Sequence, residues 1–214
     1  MIPVKKDLVL IGGGGHCKSC IEVIHSDGVY NILGILDMPS EIGKEILGVK
    51  VIGTDEDFQK YNDLGCTFLI TIGQIKTAAI RIRMFEHLQS IGASLATIVA
   101  KTAYVSTYAE IGAGSIIMHQ TFINAGVKVG CNNIINTGAV LEHDVQIGKH
   151  NHISTGAYVN GDCTIGDENF IGSGTIIANG IEVGDGIVIG AGSVLFRSLK
   201  KEGTYLGNPL RKIK

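Results

Sequence analysis

Apolar positions along this chain follow two different patterns, and the change falls near residue 100. In the first part, short apolar runs alternate with stretches of helical spacing. Residues 8–11 read as a strand that ends in Gly12, Gly13, Gly14, Gly15 and His16. Cys17, Cys20, Ile21 and Ile24 then recur at the spacing of one helix face, up to about His25. Residues 32–36, 49–52 and 67–72 read as further strands, the first ending at Asp37 and the last at Gly73. Acidic residues 54–57 mark a helix start, and residues 78–91 read as a longer helix. Strand and helix alternating at this spacing predict a small parallel sheet with helices on its faces.

From about residue 101 the period becomes six. Val105, Ile111, Ile117, Ile123, Val129, Ile135, Leu141, Ile147, Ile153, Val159, Ile165, Ile171, Ile177, Val183, Ile189 and Leu195 form an unbroken series of branched aliphatics. At 45% hydrophobic residues, sixteen such hits arise by chance with a probability on the order of 10⁻⁶, so the period is a structural repeat. Six fits neither a helix nor a hairpin. It fits a parallel β-helix, in which each hexapeptide gives one short strand and one turn, and three make a triangular coil. The next position is often glycine (Gly112, Gly130, Gly148, Gly166, Gly172, Gly184, Gly190), as a tight corner favours. The position two earlier is small (Ala109, Ser115, Thr121, Ala139, Ala157, Cys163, Thr175), because it shares a narrow interior. About five coils without an excursion loop are expected. The chain thus divides into a Rossmann-like α/β domain, residues 1–100, and a β-helix with a C-terminal tail, residues 101–214.

Composition narrows the function. A net charge of −2 over 214 residues offers no basic surface for nucleic acid or an anionic membrane. No apolar run reaches the length of a membrane span or of a secretory h-region, which points to a cytoplasmic protein. Five cysteines without regular spacing read as reduced thiols. Cys17 and Cys20 form C-x-x-C, but a redox role needs a thioredoxin-like context and a zinc site needs a second pair; no metal is expected.

The uninterrupted repeat, the ending Gly207-Asn208-Pro209-Leu210-Arg211, the Gly-rich α/β part and Glu142-His143-Asp144 followed by His152 together resemble the hexapeptide-repeat acyltransferases. Within them they resemble bacterial nucleotide-sugar (UDP-4-amino-sugar) N-acetyltransferases and sialic acid O-acetyltransferases. The resemblance implies a left-handed β-helix, against the usual right-handed crossover. It also implies acetyl-CoA as co-substrate, a nucleotide-linked 4-amino-4,6-dideoxy sugar as acceptor, and a homotrimer with acetyl-CoA between adjacent prisms.

His143 follows inward Leu141 by two positions and should project from the prism wall, as a general base near neutral pH would. Asp144 is placed to hydrogen-bond it, and Glu142 occupies the corner position. In the resembling enzymes a histidine at the position of His152 contacts acetyl-CoA. Gly161 lies one coil of 18 residues after His143, where its N–H would face the thioester carbonyl. By the same resemblance Ser173 and Gly192 line the pantetheine groove, and Arg211 and Lys212 are available to its phosphates. His119 and His150 read as wall. In the α/β domain, Gly14, Gly15 and His16 suit a phosphate, Asp37 a ribose or base, and Gly73 lies on the same rim. Cys17 stands where G-x-G-x-x-G needs its third glycine, so a dinucleotide site is disfavoured. O-acetylation of a sialic-type sugar, a non-catalytic β-helix binding module and a metal-dependent β-helix hydratase are the alternatives.

Overall fold

The computed structural model describes residues 5–75 and 77–213. Residues 1–4, on which part of the reading against a leader peptide rests, lie outside them.

The first unit has six strands: β1 (Lys6–Ile11), β2 (Tyr30–Leu36), β3 (Glu45–Ile46), β4 (Val49–Gly53), β5 (Thr67–Ile70) and β6 (Ser94–Leu95). They lie in the order β3-β4-β2-β1-β5-β6, all pairs parallel except the β3–β4 hairpin. The central strand β1 is apolar on both faces, as a strand covered from both sides must be. Leu8 and Leu10 pack toward helix α1 (Gly15–Asp27), which ends at Gly28 with φ 74°. Val9 and Ile11 pack with Phe58 and Tyr61 of α2 (Phe58–Asp63) and Met84, Phe85 and Leu88 of α3 (Ala79–Ser90).

The second unit is a left-handed parallel β-helix. Its first face stacks Ile98–Val99, Ile116–Ile117, Ile134–Ile135, His152–Ile153, Phe170–Ile171 and Ile187–Ile189. The second stacks Tyr104–Val105 through Val194–Leu195, and the third Glu110–Ile111 through Glu182–Val183. Every pairing between these strands joins residue i to i+18, with no slip and no excursion. The first strand of the stack, Ile98–Val99, lies just ahead of residue 101.

Two features of the corners follow from the six-residue frame. The residue three after each inward aliphatic, from Gly114 to Gly192, has positive φ, including Asn132, Asp144, His150 and Asp162. The glycine directly after the aliphatic has a different reason to be glycine. At Gly130 a Cβ would stand 2.6 Å from the carbonyl oxygen of Gly148, so the next coil occupies the space. Inside the prism, Ser115, Asn133, Asn151 and Asn169 stack at 18-residue intervals. Asn133 N–H donates to Ser115 Oγ, and the side-chain oxygens of the three asparagines accept from the N–H groups of Asn151, Asn169 and Ile187.

The two units share one core. Helix α1 is packed between the sheet and the first face, with Ile98, Ile116 and Ile134 in the same cluster as Leu8, Cys17, Cys20 and Ile24. Burial pushes the Cys17 thiol up to about 11 and that of Cys20 higher still, so the C-x-x-C pair is packing. Arg81 of α3 is 1% exposed and faces no carboxylate among the described residues. Its guanidinium donates to the carbonyls of Ile70 and Ile72 and to the carbonyl and side-chain oxygens of Asn132.

Gly130→Ala should lower folding stability by about 1–3 kcal/mol in denaturant titration, because the coil above must move. Gly14→Ala, at φ −71° with nothing within 4 Å of a Cβ, should change it by less than about 0.5 kcal/mol.

Candidate active site

The expected site residues stand in three places. The first is a cleft of about 930 Å³ where the carboxyl ends of β1, β2 and β5 meet the first face of the β-helix. Gly14, Gly15, His16, Asp37 and Gly73 all line it, and so does His152. Gly12 has φ 95°, and a Cβ there would strike Ile72. Gly13 lets its N–H reach Asp37 Oδ2 at 2.7 Å, and Met38 N–H reaches Oδ1 at 2.8 Å. The carboxylate therefore ties the loop to the end of β2 while staying on the cleft wall. Gly14 and Gly15 have nothing within 4 Å of a Cβ, so the first turn of α1 presents bare backbone to the cleft.

His152, expected beside the cofactor groove, stands in this cleft with its ring centroid 6.4 Å from that of His16. Its Nδ1 donates to the carbonyl of Gln74 at 2.6 Å, which fixes the tautomer, and Nε2 accepts from Asn136 Nδ2 at 3.0 Å. Burial holds its pKa down to about 4 and that of His16 down to about 3, with Arg81 adding to both. Both rings are neutral at pH 7.

The second place is the corner between the second and third faces. There His143 Nδ1 donates to Asp144 Oδ2 at 3.0 Å, which leaves the lone pair on Nε2. Asp144 is held in its left-handed conformation by its N–H bond to Ala125 O. Glu142 Oε2 accepts from Asn124 Nδ2 one coil below. Gly161 lies directly above the imidazole: a Cβ there would stand 2.5 Å from His143 Nε2. Its own N–H has no partner among the described residues.

The third place is the corner between the first and second faces. Ser173 Oγ pairs with Ser154 Oγ there, and Gly192 N–H bonds Ser173 O. The tail passes over this corner, with Gly207 N–H on Ser193 Oγ, and folds back so that exposed Arg211 pairs antiparallel with Leu206. Lys212 Nζ bonds Glu202 O. In a triangular prism the corner of His143 lies opposite the first face, so within one chain His143 and the cleft are on opposite sides. His119 pairs with Thr102 on the wall, and His150 is buried against Phe85 and Asn132 where the third and first faces meet.

Comparison with known proteins agrees with the fold. Residues 7–88 match the family model of the PglD N-terminal domain, and residues 162–197 that of the bacterial transferase hexapeptide (six repeats). The acetyltransferase domain of PglB from Neisseria gonorrhoeae is 29% identical, covers 98% of this chain and 100% of its own, and superposes with a TM-score of 0.89. The chain is an acyltransferase with a hexapeptide-repeat fold. PerB from Caulobacter crescentus, solved with CoA and GDP-perosamine, is also 29% identical to this acyltransferase, with 97% of each chain covered and a TM-score of 0.89. WeeI from Acinetobacter baumannii, at 22% identity and TM-score 0.87, shares the fold. Comparison with curated proteins by sequence gives no match.

Sequence reasoning missed Gln74 and Arg81 in the acyltransferase, both buried where the two units meet, and Arg83 of α3, exposed on the cleft wall. Among the described residues no group of three or more His, Cys, Asp or Glu is placed to hold a metal ion, and no helix is long and apolar enough to cross a membrane.

The buried imidazoles set an acid limit. Unfolded histidines take up protons near pH 6.5, whereas folded His16 and His152 refuse them until about 3 and 4. Their contribution to stability is complete above about pH 6.5 and is lost as pH falls toward 4. The melting temperature should drop between pH 7 and about 4.5, and the H16Q/H152Q double variant should show a shallower slope.

Proposed function

We propose that this chain transfers the acetyl group of acetyl-CoA to the amine of a nucleotide-linked 4-amino-4,6-dideoxy sugar, in the cytoplasm, as a step of bacterial surface-glycan biosynthesis. The observation that carries this reading is the end-to-end match to the PerB structure solved with CoA and GDP-perosamine. The match to the PglB acetyltransferase domain solved with acetyl coenzyme A supports the donor.

The chemistry follows from the residues. In the cleft, the N–H groups at the first turn of α1 take the phosphates, and Asp37 at the end of β2 takes a ribose or base donor. His143 Nε2, with Nδ1–H held by Asp144, removes a proton as the amine attacks the thioester carbonyl. A C–N bond forms, the C–S bond breaks, and CoA leaves as a thiolate that takes a proton back. Gly161 N–H faces the carbonyl oxygen as its charge grows. No covalent acyl-enzyme is invoked: Cys163, the cysteine nearest this corner in sequence, is buried in the prism and donates to Ala178 O.

Because the cleft and His143 lie on opposite sides of one prism, the complete site is formed between copies. The second face supplies the contact. Its outward positions are Tyr104, Phe122, Val140, Tyr158, Ile176 and Val194, with Tyr104 and Phe122 stacked at 4.9 Å and both exposed. Three copies around an axis along this face bring the His143 corner of one beside the Ser173, Gly192 and Arg211 edge of the next. Acetyl-CoA lies in the groove between them. His152 borders that groove from the first face, with both ring nitrogens already bonded.

A thiol-release assay with acetyl-CoA and UDP-, dTDP-, GDP- and CMP-sugars tests the function. Turnover with a nucleotide-linked 4-amino sugar is expected, and turnover with a sialic-type sugar alone would move the function to O-acetylation. His143→Ala should reduce kcat by about 10²- to 10⁴-fold with acetyl-CoA binding retained. Gly161→Ala, which displaces the imidazole without removing it, should cost about 10²-fold. Light scattering at micromolar concentration should give a trimer; a monomer would contradict the shared site.

A further inference from the structure

Gln74, directly after the Gly73 rim, is 2% exposed and lines the cleft. Its backbone carbonyl accepts from His152 Nδ1, and its side-chain Nε2 donates to the carbonyl of Asn169 at 3.1 Å. A carbonyl can be met only by the NH₂ end of the amide, so the other end must be Oε1. That oxygen is buried with no hydrogen-bond partner among the described residues, and so is Nε2 of His16 on the same cleft. An acceptor fixed in this way calls for a donor from whatever enters the cleft.

We propose that Gln74 is a specificity-determining residue whose Oε1 accepts a hydrogen bond from a hydroxyl or N–H of the sugar in the bound nucleotide sugar. The inference rests on the reading of the cleft given above and deepens it. A phosphate diester oxygen carries no proton at neutral pH, so phosphate cannot satisfy Oε1. The order of the sheet decides which part of the ligand does. Asp37 follows β2 and Gln74 follows β5, and these strands flank β1, whose loop leads into the bare first turn of α1. Phosphates at α1 put the nucleoside on the Asp37 side and the sugar on the Gln74 side. Gln74 is also where the cleft meets the β-helix, beside His152 and the Phe170 ring packed on it. The sugar must lie there if its amine is to meet a base supplied by another copy.

The test is calorimetric binding of UDP, dTDP and GDP, and of the matching 4-amino-4,6-dideoxy sugars, to wild type and Gln74→Met. The variant should bind the nucleoside diphosphate as wild type does and the nucleotide sugar roughly 5- to 30-fold more weakly. One member of a set of deoxy analogues should bind wild type as weakly as the variant binds the parent, with no further loss in the variant. Equal weakening of diphosphate and nucleotide sugar, or a large fall in melting temperature with it, would make Gln74 a strut and overturn the proposal. Unchanged binding of both would overturn it too. Wild type that binds none of the probes would sink the nucleotide-sugar reading itself, a result distinct from either.

Discussion

The arrangement of this molecule depends on a guanidinium that faces no carboxylate among the described residues. Arg81 is buried, and burial lowers even its pKa, to about 10. A buried cation without a carboxylate is costly unless hydrogen-bonded from several directions. Here the carbonyl ends of β5 and its following loop supply two acceptors and Asn132 supplies two more. Those acceptors belong to both units, so the two terminal nitrogens are both paired only when sheet and β-helix are docked, while Nε has no partner among the described residues. The cleft has one wall from each unit and inherits its shape from that docking.

The same logic explains the neutral histidines. A cationic neighbour and a dry site both disfavour imidazolium, so His16 and His152 stay uncharged. His152 is then free to act as a hydrogen-bond bridge between Gln74 and Asn136. His143 sits at the exposed opposite corner, where Asp144 orients it without burying it. One chain thus holds one imidazole buried and bonded on both nitrogens and another exposed on the opposite side of the prism.

Much of this was legible from residue spacing. The period of six defined the β-helix, and the 18-residue step placed Gly161 over His143. The same arithmetic carried further separates the groups: Ser173 follows His143 by 30 residues, which is not a multiple of 18, so the two lie on different corners. His152, nine residues on, falls on the first face, and only the docked sheet makes that face a cleft wall instead of surface. Gln74 and Arg81 carried no signal. A glutamine after a strand-end glycine and an arginine within an amphipathic helix read as solvated until the other unit covers them. The corner glycines were read as conformational, whereas Gly130 answers to the coil above it.

The unbroken register also constrains how such a chain can change its length. A gain or loss of 18 residues inside the prism adds or removes one whole coil and returns every later residue to its own face. A gain or loss of six keeps all aliphatics inward, and the core survives, but everything above the change rotates by one face. Such an event between Leu141 and Ile177 would carry Gly161 or Ser173 to a different edge while leaving the protein folded. In this architecture insertions and deletions are therefore sorted by their remainder modulo 18, and catalysis is more sensitive to that remainder than stability is.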